Sequence, residues 1–124
     1  MPHSTNTFSK NERLVRLTDI QELFKSSSSF YLHPFKVVSS LGADGVKVLF
    51  SVPKKLYPKA VDRNRIKRRM REAYRKNKLQ SIDGPSLNIN IAYIYLAKEP
   101  LDYKTIENKL IQCNDRLLRQ GKES

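Results

Sequence analysis

The stretch KAVDRNRIKRRMREAYRKNK, Lys59–Lys78, carries two patterns at once. Ile66, Met70 and Ala73 recur at helical spacing, with Tyr74 on the edge of the stripe. Such a stripe lets a helix lie on a hydrophobic core. Around it, nine Lys or Arg side chains fall between Arg63 and Lys78, and Asp62 and Glu72 are the only acids in the stretch. At about 100° per residue, Lys67, Arg68, Arg71, Arg75 and Lys78 form a wide cationic flank on one side of the stripe. Arg65, Arg69 and Lys76 form a second flank on the other side. A docked helix holds these charges at fixed positions, and a nucleic-acid backbone offers fixed anions to match. Arg63 and Arg65 lie near the helix start, where the macrodipole disfavours cations. Their placement there points to a bound anion.

Working outward, Pro53 and Pro58 bracket a loop, PKKLYP, that delivers the chain to the basic helix, with Asp62 as the expected N-cap. Before it, Phe35–Leu41 and Val46–Val52 read as strands, and Val46, Val48, Phe50 and Val52 share one face. Gly42-Ala43-Asp44-Gly45 between them predicts a hairpin. A short strand near Ser29–Leu32 is the most weakly marked element. Thr18-Asp19-Ile20-Gln21 reads as a capping box, with Thr18 at N-cap, and Ile20, Leu23 and Phe24 give the first helix its apolar face. After the basic helix, Gly84-Pro85 marks a turn. Asn88–Leu96 (NINIAYIYL) is the strongest strand, with Ile89, Ile91, Tyr93 and Tyr95 on one face. Asp102 caps a final helix whose stripe is Ile106, Leu110, Cys113 and Leu117. Residues 1–8 and 120–124 are expected to be mobile. The order predicts a single α+β domain over residues 1–124, a small sheet covered by helices.

The chain has 124 residues, 24 Lys plus Arg against 12 Asp plus Glu, and a formal net charge of +12. Self-repulsion on that scale destabilises a compact state, and a polyanionic partner offsets it. No apolar stretch approaches the ~20 residues needed to span a bilayer, and the start, MPHSTNTFSK, has no apolar signal core. Cys113 is the single cysteine, which suits a reducing cytoplasm.

No self-contained active site is legible. The carboxylates are scattered, His3 and His33 are the only histidines, and the four glycines match no phosphate loop. A lone cysteine supports no zinc site. No metal ligand and no catalytic residue is expected in this chain.

The block Arg63-Asn64-Arg65-Ile66-Lys67-Arg68-Arg69-Met70-Arg71-Glu72 resembles the R-N-R-x-K-R-x-x-R-E signature of the bacterial ribonuclease P protein subunit. Its approach, Ser51-Val52-Pro53-Lys54-Lys55 and then Lys59-Ala60-Val61, is similar to that family's S-V-S-K-K and K-A-V. Arg13-Leu14, Asp19-Ile20 and Leu23-Phe24 resemble its first-helix pattern. The likeness spans roughly Phe8 to Leu118.

The resemblance implies an α-β-β-β-α-β-α fold with about four strands in a mixed sheet, three helices and a left-handed βαβ crossover, like the second domain of a small-subunit ribosomal protein. It implies a ribonucleoprotein that removes the 5′ leader of precursor tRNA. The RNA subunit performs the hydrolysis with Mg2+, and the protein binds no cofactor tightly. By position, Arg63, Asn64, Arg65, Arg68, Lys54 and Lys55 would meet the catalytic RNA. Phe24, Ile20, Val38, Lys67 and Arg71 would meet the leader or tRNA. The chain would act as a monomer, one copy per RNA, away from membranes. Ile20 stands where the family often has Phe, and Val38 where some members have Tyr. Stacking needs a π-face, so leader contacts there are expected to be weaker or supplied otherwise. The competing reading is a ribosomal or RNA-chaperone protein with no dedicated reaction.

Overall fold

The structure is a computed structural model, and it describes residues 13, 17–25, 28–42, 45–78 and 88–123. The turn at Gly84-Pro85 and the first eight residues lie outside the described residues. Within them the order is α1 (Leu17–Lys25), β1 (Ser28–Leu32), β2 (Phe35–Leu41), β3 (Val46–Ser51), α2 (Ala60–Lys76), β4 (Ile89–Tyr95) and α3 (Tyr103–Glu123). The weakly marked strand is therefore real. β1 takes the sheet edge as an antiparallel partner of β2, with Phe30 opposite Val37.

The hairpin expected at Gly42–Gly45 does not form. The sheet order is β1-β2-β4-β3, so β2 and β3 are separated by β4. β4 pairs antiparallel with β2 and parallel with β3. The glycine segment instead bridges across the entry to β4. Gly42 N–H donates to the Asn88 carbonyl (2.9 Å), Ile89 N–H to the Gly45 carbonyl (3.0 Å), and Gly45 N–H to Asn88 Oδ1 (2.8 Å). Gly45 has φ +79°, which favours glycine. A Cβ on Gly42 would lie 2.9 Å from Asn90 Oδ1. Both glycines are needed, but for passing a third strand. β4 suits the centre because Ile91, Ala92 and Tyr93 are all fully buried, so both of its faces are covered.

Two helix starts lie two or three residues earlier than expected. α1 begins at Leu17, so Thr18 lies within it. α2 begins at Ala60 with Lys59 as N-cap and no side-chain cap bond. Alanine is the best helix former, so the helix extends back to Pro58's end of the loop. Asp62 falls in the first turn, where an acid complements the macrodipole. At α3 the expected cap is present: Thr105 N–H donates to Asp102 Oδ1 at 2.9 Å. A hydrogen bond from the Thr105 side chain, followed by that backbone bond, holds the Asp102 carboxyl below its ordinary pKa. α3 runs on through Glu123, since its polar end is rich in good helix formers.

The main core lies between the sheet and the α2–α3 pair. Ile66, Met70, Ala73 and Tyr74 of α2 meet Ile106, Leu110, Cys113 and Leu117 of α3 there, as both stripes predict. Phe50 stacks on Tyr93 (5.7 Å, 18°), and Tyr74 leans on both. A polar chain, buried at its Tyr93–Asn114 end, ties the layers together. Tyr93 OH donates to Asn114 Oδ1, Asn114 Nδ2 to the Asn77 carbonyl (2.8 Å), and Asn77 Nδ2 to Glu107 Oε2 (3.1 Å). On the opposite face, Leu23 of α1 packs on Val38 and Ala92, flanked by Ile20, Leu49 and Ile94.

Burial also governs the alkaline limit. It pushes the Tyr95 hydroxyl from 10.0 to about 12 and the Cys113 thiol from 9.0 to about 12. Folding therefore favours the neutral forms. Their contribution is fully present below the ordinary values of 9.0 and 10.0 and is lost as pH rises toward about 12. The melting temperature should hold up to about pH 9 and then decline steadily to about pH 12. A melting temperature flat across that window, followed by circular dichroism, would contradict the burial of these groups.

Candidate nucleic-acid interface

α2 is braced from beneath, and that decides where its cations point. With Ile66, Met70 and Ala73 at 0% exposure, the opposite side of the helix faces solvent. Asn64, Arg65, Arg68 and Arg71 are exposed, and Lys67 is half-buried. Asn64, Arg68 and Arg71 follow one another at four- and three-residue steps, so they form a row of neighbours along the helix. Lys67 and Arg71 form a second such pair.

The helix start and the loop before it are one piece. Leu56 and Tyr57 N–H both donate to the Pro53 carbonyl at 3.1 Å, which turns Lys54 and Lys55 outward as exposed residues. Tyr57 is buried, and its hydroxyl donates to the Ala97 carbonyl at 2.7 Å. Arg63 Nη1 donates to the carbonyls of Tyr57 (2.9 Å) and Pro58 (2.8 Å). Arg63 thus spends one nitrogen on fastening the loop to the first turn, while a guanidinium has five donors in all. Lys54, Lys55 and the Arg63–Arg68 turns share one end of the molecule as a rigid basic surface.

The flanks are less uniform than helical periodicity implies. Arg69 Nη1 donates to the Leu101 carbonyl at 2.7 Å, and Lys76 Nζ stands 5.6 Å from the centre of the Tyr103 ring. Arg69 therefore rests against the start of α3, whereas Arg65 and Lys76 are exposed, Lys76 with its ammonium near the Tyr103 ring. On the first flank Arg75 is engaged by Glu72, whose carboxyl is pulled below its ordinary pKa by that hydrogen bond. The pair is i,i+3 and solvent-accessible, so it contributes little to stability.

The second candidate region is the sheet face under α1. Phe24 is 50% exposed beside the inward-facing Leu23. Ile20 is half-buried against the apolar cluster. Val38, expected along the leader path, is 4% exposed beneath α1. It offers packing under that helix more than surface. The strand register places a further row beside it: Tyr31 opposite Lys36, Lys36 opposite Ile94, and Ile94 opposite Ser51. Tyr31 is 55% exposed and Lys36 is exposed. Sequence reading missed both. The available signal was alternation, which puts residues 36 and 38 on one face.

Among the described residues no group of three His, Cys, Asp or Glu side chains could hold a metal, and no helix is long and apolar enough to cross a membrane.

Comparison with known proteins accords with this geometry. The family model described as Ribonuclease P matches residues 8–118. The ribonuclease P protein component of Porphyromonas gingivalis (strain ATCC 33277) is 34% identical over 114 residues, covering 86% of this chain and 83% of that protein. That of Geobacter sp. (strain M21) is 34% identical, covering 94% and 97%. Among solved structures, the RNase P protein of Thermotoga maritima superposes with a TM-score of 0.70 at 28% identity, covering 85% of this chain and 96% of that one.

Proposed function

We propose, because this chain belongs to the ribonuclease P protein family, that it binds a catalytic RNA and the 5′ leader of precursor tRNA, and so assists endonucleolytic removal of the leader. The single observation that carries this reading is α2: a helix fixed to the core by a fully buried stripe, with Asn64, Arg65, Arg68 and Arg71 held outward. Arg63, Asn64, Arg65 and Arg68, with Lys54 and Lys55, form the surface for the catalytic RNA. Lys67 and Arg71 take substrate phosphates. Phe24 and Ile20 border the leader path, and Val38 supports α1 from below.

The protein's work is positional and electrostatic. It neutralises phosphates where RNA strands meet, in the cytoplasm, as one copy per RNA. Each phosphate neutralised adds about −0.7 to −0.9 to the salt slope of binding. The hydrolysis belongs to the RNA and its Mg2+.

Reconstitution tests this. Purified protein with the cognate RNA subunit should cleave precursor tRNA at magnesium concentrations too low for the RNA alone. Cleavage by the protein without RNA would point to a stand-alone nuclease. Equal stimulation by any basic RNA chaperone would remove the dedicated role.

A further inference from the structure

Along the proposed leader path Ile20 and Val38 offer no ring, but an exposed aromatic stands nearby on the sheet. Tyr31 on the edge strand β1 is 55% exposed and points to the α1 side of the sheet, in register with Lys36. The ring is held in place: its hydroxyl and Nδ1 of His33 are hydrogen-bonded at 3.1 Å, and the two rings meet edge to face at 6.4 Å. A ring fixed in the free protein loses little rotamer freedom on stacking. Lys36 follows it across the sheet, then Ile94 and Ser51. Ser51 is the last residue of β3, and the chain leaves from there into the Lys54-Lys55 turn. The row therefore leads from the β1 edge toward the basic end of α2. None of the four strands contains an Asp or Glu, so no carboxylate in the sheet opposes a polyanion on this face.

We infer that Tyr31 and Lys36 form a nucleotide-binding step for the single-stranded leader, with a base stacked on Tyr31 and a phosphate at Lys36. This rests on the reading of the chain as the leader-binding subunit. It adds a π-face to a path on which Ile20 and Val38 supply none. Stacking of this kind tolerates any base, so the step should prolong the leader's grip without selecting sequence.

The test uses holoenzyme reconstituted with the cognate RNA and two precursor tRNAs, one with a long leader and one trimmed close to the cleavage site. For the wild type the long leader should bind more tightly. Tyr31→Ala should reduce the long-to-short affinity ratio about five- to tenfold, and Tyr31→Phe should retain it, since the ring remains. Lys36→Ala should lower the salt slope for the long leader by about 0.7. Unaltered melting temperatures, expected for exposed positions, would separate these losses from misfolding. If the wild type favours the long leader and Tyr31→Ala keeps the full preference, the step does not exist. If the wild type shows no leader-length preference or no processing, the reading beneath it fails as well.

Discussion

Arg65→Ala combined with Arg68→Ala is expected to weaken binding to the catalytic RNA by about a hundredfold or more at low salt. Both side chains are exposed on α2, one from each flank, at the end that also carries Lys54 and Lys55. A charge-assisted hydrogen bond to phosphate contributes about 1.5–3 kcal/mol, and two are removed. The salt slope should flatten by about 1.4–1.8 units, because two fewer counterions are released. The melting temperature should hardly move, since neither residue is buried. Arg63→Ala gives the contrast. It removes the bonds to the Tyr57 and Pro58 carbonyls, so loop stability should fall together with RNA affinity. Filter binding across a salt series, alongside thermal melts, distinguishes the cases. An unchanged slope in the double variant would mean these arginines do not meet phosphate.

Met70→Ala should produce the largest loss of stability, about 2–5 kcal/mol. Met70 is fully buried at the middle of the α2 stripe, and truncation leaves a cavity between helix and sheet. For a domain of this size the melting temperature should fall by roughly 10 °C or more. Met70→Leu conserves volume and should cost less than about 1.5 kcal/mol. At a temperature well below the melt, RNA affinity of Met70→Ala should remain near that of the wild type, because the cations lie on the other side of the helix. A melting temperature within a degree or two of the wild type would mean that this stripe does not anchor α2.

Elements that announce themselves through local periodicity were legible in the sequence. The α2 stripe, the α3 stripe, the Asp102 cap and the β4 strand depend on residues a few positions apart, and each is where the pattern puts it. Pairing depends on distant residues, and there sequence reasoning failed. Gly42–Gly45 has hairpin chemistry, yet its hydrogen bonds run to Asn88 and Ile89, more than forty positions later. Nothing between residues 42 and 45 specifies a strand from so far away. The site shows the same division. Outward cations followed from helical geometry. The engagement of Arg69 with Leu101 and of Lys76 with Tyr103 depended on where α3 docks, which no local pattern encodes. Tyr31 was hidden because a five-residue edge strand gives little periodic signal.

The central place of β4 has a temporal consequence. During synthesis the basic helix emerges before the strand that joins β2 to β3. Until residues 89–95 leave the exit tunnel, β1 and β2 can pair as an isolated ribbon, which is marginal in water, while β3 has no lateral partner among the other named strands. Closing the sheet then requires contacts spanning some fifty residues, a slow, non-local step. A nascent or prematurely terminated chain therefore displays its cations ahead of any scaffold to hold them, and would cling to nucleic acid without discrimination. Discipline in RNA recognition arrives with the last third of the polypeptide.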